Sequence, residues 1–89
     1  MIDVFLDDGF KRSFRKIVKN NDDIKNKFKE KLELLRENPS NPILKTHKLS
    51  GKLQDYMSFS VDYRIRVVFK YVDKTKVLLI DIGTHDDIY

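Results

Sequence analysis

The sequence predicts an α+β fold in which an N-terminal strand and an antiparallel pair of helices precede a three-stranded antiparallel sheet. Two patterns indicate this fold. Apolar side chains recur every three or four residues between Phe10 and Leu35, which is the period of a helix, and roughly every second residue from Tyr56 onward, which is the period of a strand. The predicted order is therefore β-α-α-β-β-β. At 89 residues, the chain is expected to form a single domain spanning 1–89.

Two amphipathic helices are predicted in the first half of the chain. Asp7 or Asp8 can cap the first helix, and Asp22 or Asp23 the second, because carboxylates accept hydrogen bonds from the free amides of a first turn. Pro39 should end the second helix, since the residue before a proline avoids helical geometry. The two apolar stripes consist of Phe10, Phe14, Ile17 and Val18, and of Ile24, Phe28, Leu32 and Leu35.

The predicted strands cover residues 2–6, 56–61, 63–71 and 77–82. The last is nearly all apolar, which is typical of a central strand covered on both faces. Residues 73–76 are the expected hairpin turn, and residues 38–51 are expected to form a loop. On the strand 63–71, Ile65, Val67, Phe69 and Tyr71 should face one side, whereas Arg64, Arg66, Val68 and Lys70 should face the other.

The charge and the apolar content of the chain limit the kinds of partner that the protein is expected to have. Lys and Arg number 18 against 14 Asp and Glu, a net charge of +4, and nine of the basic residues lie within 11–31. Such clusters favour a polyanionic partner, usually nucleic acid, although a solvated helix surface gives the same pattern. The chain has no cysteine, no apolar run of the roughly 18–20 residues that span a bilayer, and no signal-peptide pattern at its start. We therefore expect a cytoplasmic protein with no membrane partner.

His47 and His85 are the two histidines, and each follows or precedes a predicted strand in a polar segment. Imidazole titrates near neutral pH, so two histidines can act as base and acid in one reaction. Cleavage of RNA by its own 2′-hydroxyl needs such a pair and no metal. The alternative is that both are exposed loop residues without a role. The chain lacks the HExxH spacing of a zinc site, so neither a metal nor another cofactor is expected.

Cationic and aromatic side chains near these histidines are candidate RNA contacts. Arg64 and Arg66 can each hold a phosphate through two hydrogen bonds if their strand face is open, or can pair with acidic residues if it is not. Tyr89, four residues after His85, offers a ring on which a base can stack. Further candidates for phosphate binding are Lys45, Lys48 and Lys52.

Five segments together carry a family pattern: residues 10–16, residues 35–39, His47-Lys48-Leu49-Ser50-Gly51, residues 63–69, and the ending Gly83-Thr84-His85-Asp86-Asp87-Ile88-Tyr89. Over nearly its full length, the chain resembles the RelE/ParE toxin superfamily, and its ending is most similar to the YafQ-like branch. This resemblance implies a toxin of a type II toxin–antitoxin system. It also implies metal-independent cleavage of mRNA in the ribosomal A site.

The matching motifs imply individual roles. In the YafQ-like branch, the positions of His85 and His47 are catalytic, and an aromatic at the position of Tyr89 completes the site. In RelE relatives, the arginine that matches Arg64 contacts the scissile phosphate. The resemblance further implies an acidic antitoxin that folds over the toxin, and operator DNA that is bound only through this complex.

The chain departs from the family on the strand 56–61. RelE carries lysines there, whereas this strand has no basic residue. Ser60 stands near a further histidine of the YafQ-like branch, and Asp62 is an approximate match for its aspartate. Two alternatives share the fold: a ParE-like toxin that poisons DNA gyrase without catalysis, and a catalytically weak co-repressor that binds the antitoxin. The terminal spacing of His85 and Tyr89 favours the nuclease.

Overall fold

The computed structural model describes residues 1–49 and 55–88, and it confirms the predicted α+β order. Three short elements were not expected: a 3-10 turn and a strand within the predicted loop, and a final helical turn. The elements are β1 (Asp3–Leu6), α1 (Asp8–Val18), α2 (Asp22–Glu37), a 3-10 turn (Pro42–Leu44), β2 (His47–Lys48), β3 (Met57–Ser60), β4 (Ile65–Asp73), β5 (Lys76–Thr84) and α3 (His85–Ile88).

The described strands form one sheet in the order β1-β5-β4-β3-β2. β1 runs parallel to β5, and the other neighbours are antiparallel. The parallel pair is possible because the two helices carry the chain across the sheet between these strands. β5 therefore has a neighbour on each side, as predicted for a central strand. Its two faces differ, because Val77 and Leu79 are fully buried whereas Leu78 and Ile80 are half-buried.

The helices begin at side-chain caps. The Asp7 carboxylate accepts a hydrogen bond from the amide of Gly9 at 2.8 Å, which confirms one of the two caps considered for α1. The prediction for α2 was wrong, because its cap is Asn21, whose Oδ1 accepts from the Ile24 amide at 3.2 Å. Asn20, in the connection between the helices, adopts a left-handed conformation (φ 61°), and the cap of α2 lies one residue earlier than expected. Asp22 and Asp23 then lie in the first turn, where carboxylates interact favourably with the helix dipole.

The core lies between the helix pair and one face of the sheet. Phe14 and Phe28 hold α1 against α2, with ring centres 4.8 Å apart, and Phe10 packs against both rings. Leu35 is fully buried near the end of α2. The sheet contributes fully buried side chains from three strands: Phe59, Val67, Phe69, Val77 and Leu79. Among the described residues, no helix is long and apolar enough to cross a membrane.

A β-bulge at Ile80 interrupts the pairing of β4 with β5. Phe69 lies opposite Leu79, but Val68 lies opposite Asp81, so β5 contains one extra residue at this point. In an unbroken strand, Asp81 would share the core face with Leu79, because side chains alternate between faces. The bulge shifts this alternation by one residue, so that Ile82 instead of Asp81 faces the core and is buried opposite Val67.

The hairpin turn between β4 and β5 is held by Asp73. Its carboxylate accepts from the Thr75 amide at 2.8 Å and the Thr75 hydroxyl at 3.1 Å, and Lys76 Nζ lies 3.3 Å away. These donors, the Thr75 amide above all, lower the pKa of the Asp73 carboxyl below its ordinary value. The turn predicted at 73–76 is therefore confirmed.

We expect the Asp73→Ala variant to be less stable than the wild type at neutral pH, with the difference shrinking as the pH falls. The pKa of Asp73 is lower in the folded state, so its contribution is present above the ordinary carboxyl pKa and is lost as protonation sets in. Urea unfolding of both proteins between neutral pH and the lowest pH at which the wild type stays folded measures this. A difference in unfolding free energy that does not change with pH would refute the expectation.

Candidate active-site cleft

The turn between β3 and β4 places Tyr63 and Arg64 at the end of the sheet. Asp62 builds this turn, because its Oδ1 accepts from the Arg64 amide at 2.8 Å and from the Ile65 amide at 2.7 Å. The Val61 amide closes it by donating to the Ile65 carbonyl at 2.8 Å. Tyr63 is 91% exposed, and the Arg64 guanidinium carbon lies 5.7 Å from its ring centre.

This turn corrects the prediction that Arg64 and Arg66 share a strand face. β4 begins at Ile65, so Arg66 lies on the strand whereas Arg64 lies in the turn before it. The physical reason is that the side chain of Asp62 binds the backbone amides of Arg64 and Ile65. Aspartate commonly competes with regular structure in this way.

The end of β5 lies beside the same turn. Ile65 pairs with Thr84, so the residue that precedes Ile65 and the residue that follows Thr84 come to the same end of the sheet. These residues are Arg64 and His85. They line an open cleft of about 340 Å³ together with Tyr63, Thr84 and Asp86. The structure therefore brings together two of the four predicted catalytic residues.

His85 is the first residue of the helical turn α3, and its side chain is exposed to solvent. Thr84 and Asp87 hold this turn through two reciprocal hydrogen bonds. The Thr84 hydroxyl accepts from the Asp87 amide at 3.2 Å, and the Asp87 carboxylate accepts from the Thr84 amide at 3.1 Å. This arrangement is a capping box with aspartate in place of the more usual glutamate.

Arg66 lies close to the cleft along β4, between Ser60 on β3 and Gly83 on β5. Its side chain is half-buried, and its Nη1 is buried without a hydrogen-bond partner among the described residues. A buried donor that is left unsatisfied costs free energy. An anionic oxygen bound at this position would satisfy the donor, which suits a phosphate contact.

Lys45 lines a second groove that adjoins the cleft. This groove measures about 360 Å³ and is bounded by α2, the 3-10 turn and the β3–β4 turn. Tyr63 lines both the groove and the cleft, so the two form a continuous surface around its ring. Lys31 Nζ, also in the groove, donates to the Val61 carbonyl at 3.2 Å.

His47 lies apart from His85 in the described structure. Together with Lys48 it forms the short strand β2, where His47 pairs with Ser58 and Lys48 with Met57, and both side chains are exposed. β3 and β4 lie between β2 and β5, which amounts to about 14 Å at roughly 4.7–4.9 Å per strand spacing. Among the described residues, those that line the cleft do not include His47.

Two predicted site residues, Tyr89 and Lys52, lie outside the described residues, so their roles stay predictions.

The structure adds Tyr63, Thr84 and Asp86 to the lining of the cleft. The sequence offered Tyr63 as one of several possible stacking surfaces, but Tyr89 was preferred because most tyrosines in strands pack in the core or at its rim. The signal available in the sequence was Asp62, because aspartate commonly binds the amides two or three residues later and starts a turn.

Within residues 1–49 and 55–88, no group of three His, Cys, Asp or Glu side chains is placed to hold a metal ion. The cleft instead combines one imidazole, one guanidinium, one carboxylate and one phenol ring on an open surface.

Comparison with known proteins identifies the family. Residues 3–89 match the family model of the bacterial toxin YafQ of type II toxin–antitoxin systems. The chain belongs to this YafQ toxin family. It is therefore a toxin of a type II toxin–antitoxin system, as the sequence motifs implied. No match was found among curated proteins.

Solved structures of similar fold include other toxins of this kind. The chain is 20% identical to YafQ from Escherichia coli strain BL21(DE3), covering 100% of this chain and 99% of that one with a TM-score of 0.80. It is 21% identical to a chain of the E. coli DinJ–YafQ complex, with the same coverage and a TM-score of 0.81. A metal-bound toxin from Helicobacter pylori is 24% identical over 100% of both chains, with a TM-score of 0.77. These similarities establish the shared fold.

Asp62→Ala should destabilise the protein by about 1–2 kcal/mol, because two backbone amides lose their acceptor at the turn that carries Arg64. Asp62→Asn keeps an oxygen acceptor in nearly the same shape and should lose clearly less. Urea denaturation measures both, with Asp3→Ala as a control for the loss of an exposed carboxylate. Equal losses for the alanine and asparagine variants would show that the turn does not depend on these hydrogen bonds.

Proposed function

We propose that this YafQ-family toxin is an endoribonuclease that cleaves mRNA in the ribosomal A site without a metal ion. The observation that carries the proposal is the shared cleft of His85 and Arg64. An imidazole that can transfer a proton and a guanidinium that can hold a phosphate are the two groups that this chemistry needs most. The cleft is open, as access to a long polymeric substrate requires.

The proposed reaction is attack by the 2′-oxygen of the RNA on the adjacent phosphorus. The 2′-hydroxyl loses its proton to solvent water in the open cleft as a bond forms between the 2′-oxygen and phosphorus, and the bond between phosphorus and the 5′-oxygen breaks to leave a 2′,3′-cyclic phosphate. His85 acts as general acid and gives a proton to the departing 5′-oxygen, a role that commonly contributes about 10²–10⁴-fold in rate. Arg64 donates hydrogen bonds to the phosphate oxygens, on which negative charge builds up in the transition state.

The groups around the cleft are proposed to hold the rest of the RNA. The exposed ring of Tyr63 offers a stacking surface for a base, and Arg66 and Lys45 are proposed to bind phosphates of the neighbouring nucleotides. His47 and Lys48 on β2 then contact a flanking nucleotide, since β3 and β4 separate them from the cleft. Lys52 and Tyr89 keep their predicted roles in phosphate binding and stacking.

The partners follow from the family and from the charge of the chain. E. coli YafQ has been solved in complex with DinJ. We propose that a cognate acidic antitoxin likewise binds this toxin, because opposite electrostatic potentials speed association and set orientation. The net charge of +4 suits both this antitoxin and RNA. We further propose that the protein acts in the cytoplasm and reaches operator DNA only through the antitoxin complex.

The His85→Ala variant should lose about 10²–10⁴-fold in cleavage rate, because the proton donor for the 5′-oxygen is removed. Primer extension on mRNA during translation measures the cleavage, and relief of growth arrest on expression should accompany it. His85 is exposed, so the melting temperature should stay close to that of the wild type. An unchanged cleavage pattern in this variant would exclude the mechanism. DNA breaks with intact mRNA would point to a gyrase poison instead.

For His47→Ala, we expect KM to rise while kcat stays near the wild-type value. The reason is that His47 lies on β2, three strand spacings from β5, and is proposed to bind RNA rather than transfer a proton. Single-turnover and steady-state cleavage of translated mRNA separate the two constants. A loss in kcat as large as that of His85→Ala would instead make His47 the base for the 2′-hydroxyl.

A further inference from the structure

The short helix α3 carries His85, yet four residues are too few to hold a helical conformation unaided. The first turn of a helix is entropically costly, since several residues must be ordered for one hydrogen bond. In α3, the two capping hydrogen bonds between Thr84 and Asp87 provide that order. They enclose His85 and Asp86, so the backbone on both sides of the imidazole is held in place.

We propose that Asp87 is a positioning residue that, through Thr84, fixes His85 in the orientation needed for proton transfer. The proposal rests on the function proposed above, because the proton transfer is that of His85 during RNA cleavage. It assigns Asp87 a role as hydrogen-bond acceptor for a backbone amide. Its charge takes no part in the chemistry.

The location of Asp87 supports a positioning role over a catalytic one. Asp87 lines a separate groove of about 230 Å³ between α1 and the end of β5, together with Ser13, Lys16 and Ile17 of α1. Of the described residues, those that line the His85 cleft include Asp86 and Thr84 but not Asp87. Asp87 therefore acts on His85 through the backbone of α3, from the side that faces α1.

Gly83 shows how closely Asp87 is fitted against the strand. A Cβ on Gly83 would lie 3.0 Å from the Asp87 Cβ and 3.3 Å from its Oδ2. The first distance is shorter than carbon atoms normally approach, so a side chain at position 83 would displace Asp87 by a few tenths of an ångström from its place beside the Thr84 amide. Each residue of the order Gly-Thr-His-Asp-Asp thus has a structural explanation. The glycine leaves space for the second aspartate, the threonine and the second aspartate cap the helical turn, and the histidine lines the cleft.

The test compares Asp87→Ala with Asp87→Asn. Alanine removes the acceptor for the Thr84 amide, and we expect kcat for RNA cleavage to fall by about 10²-fold with little change in KM, as expected of a displaced catalytic group. Asparagine keeps an oxygen in the same place without the charge, and should retain most of the wild-type kcat. Asp73→Ala is the matched control for a lost aspartate turn at the other end of β4 and β5, and should leave kcat unchanged.

NMR spectroscopy measures the side-chain conformation of His85 directly. The Hα–Hβ couplings of His85 in NMR spectra should indicate one side-chain rotamer in the wild type and in Asp87→Asn, and averaging over rotamers in Asp87→Ala. If Asp87→Ala does not fold, Thr84→Val tests the same turn through its reciprocal hydrogen bond, because valine lacks the hydroxyl that accepts from the Asp87 amide, whereas Thr84→Ser retains it. Rotamer averaging of His85 is expected in the valine variant alone, and a single rotamer in both variants would exclude the role.

The outcomes separate this proposal from the proposed function. If Asp87→Asn loses as much kcat as Asp87→Ala, the charge of Asp87 matters and the positioning role is wrong. If Asp87→Ala keeps both its kcat and a single His85 rotamer, the role is equally excluded. If the wild type cleaves no RNA, the proposed function fails, whereas the NMR couplings still decide whether Asp87 fixes His85.

Discussion

The pairing of β4 with β5, including the bulge at Ile80, determines where the functional groups lie. Without the extra residue, Asp81 would share the core face with Leu79, and the last part of β5 would present its opposite side to the helices. With it, Ile82 is buried and Thr84 ends the strand directly opposite Ile65. The same register that removes a carboxylate from the core thus brings Arg64 and His85 to one end of the sheet.

Side chains that bind backbone amides hold the two segments that line the cleft, one just before β4 and one just after β5. Asp62 turns the chain just before β4, and Thr84 with Asp87 turns it just after β5. These contacts are local, so each can hold its turn without a large buried surface. The aromatic and aliphatic core beneath provides the rigid base that such local turns need. This combination of a small core with locally held turns suits a chain of 89 residues, because such a chain has little apolar surface with which to bury the ends of its strands.

Periodicity predicted most of the fold, and local hydrogen bonding explains most of what it missed. Apolar spacing located both long helices and the central strand because burial imposes it along the whole element. It could not place the cap of α2 at Asn21, the start of β4 at Ile65 or the helical turn after Thr84, since each depends on one or two side-chain contacts. Family motifs identified His85 and Arg64, which the structure brings together. The separation of His47 from them depends on strand order, which spacing along the chain does not reveal.

The central claim is that Arg64 and His85 act on the same phosphate, and a double-mutant cycle tests it most directly. Cleavage rates on translated mRNA are measured for the wild type, Arg64→Ala, His85→Ala and the double variant, after melting temperatures show that all four are folded. Groups that act as one unit give strongly non-additive effects. The double variant should therefore lose little more than the worse of the two single variants. Losses that multiply, as they do for independent sites, would contradict the claim.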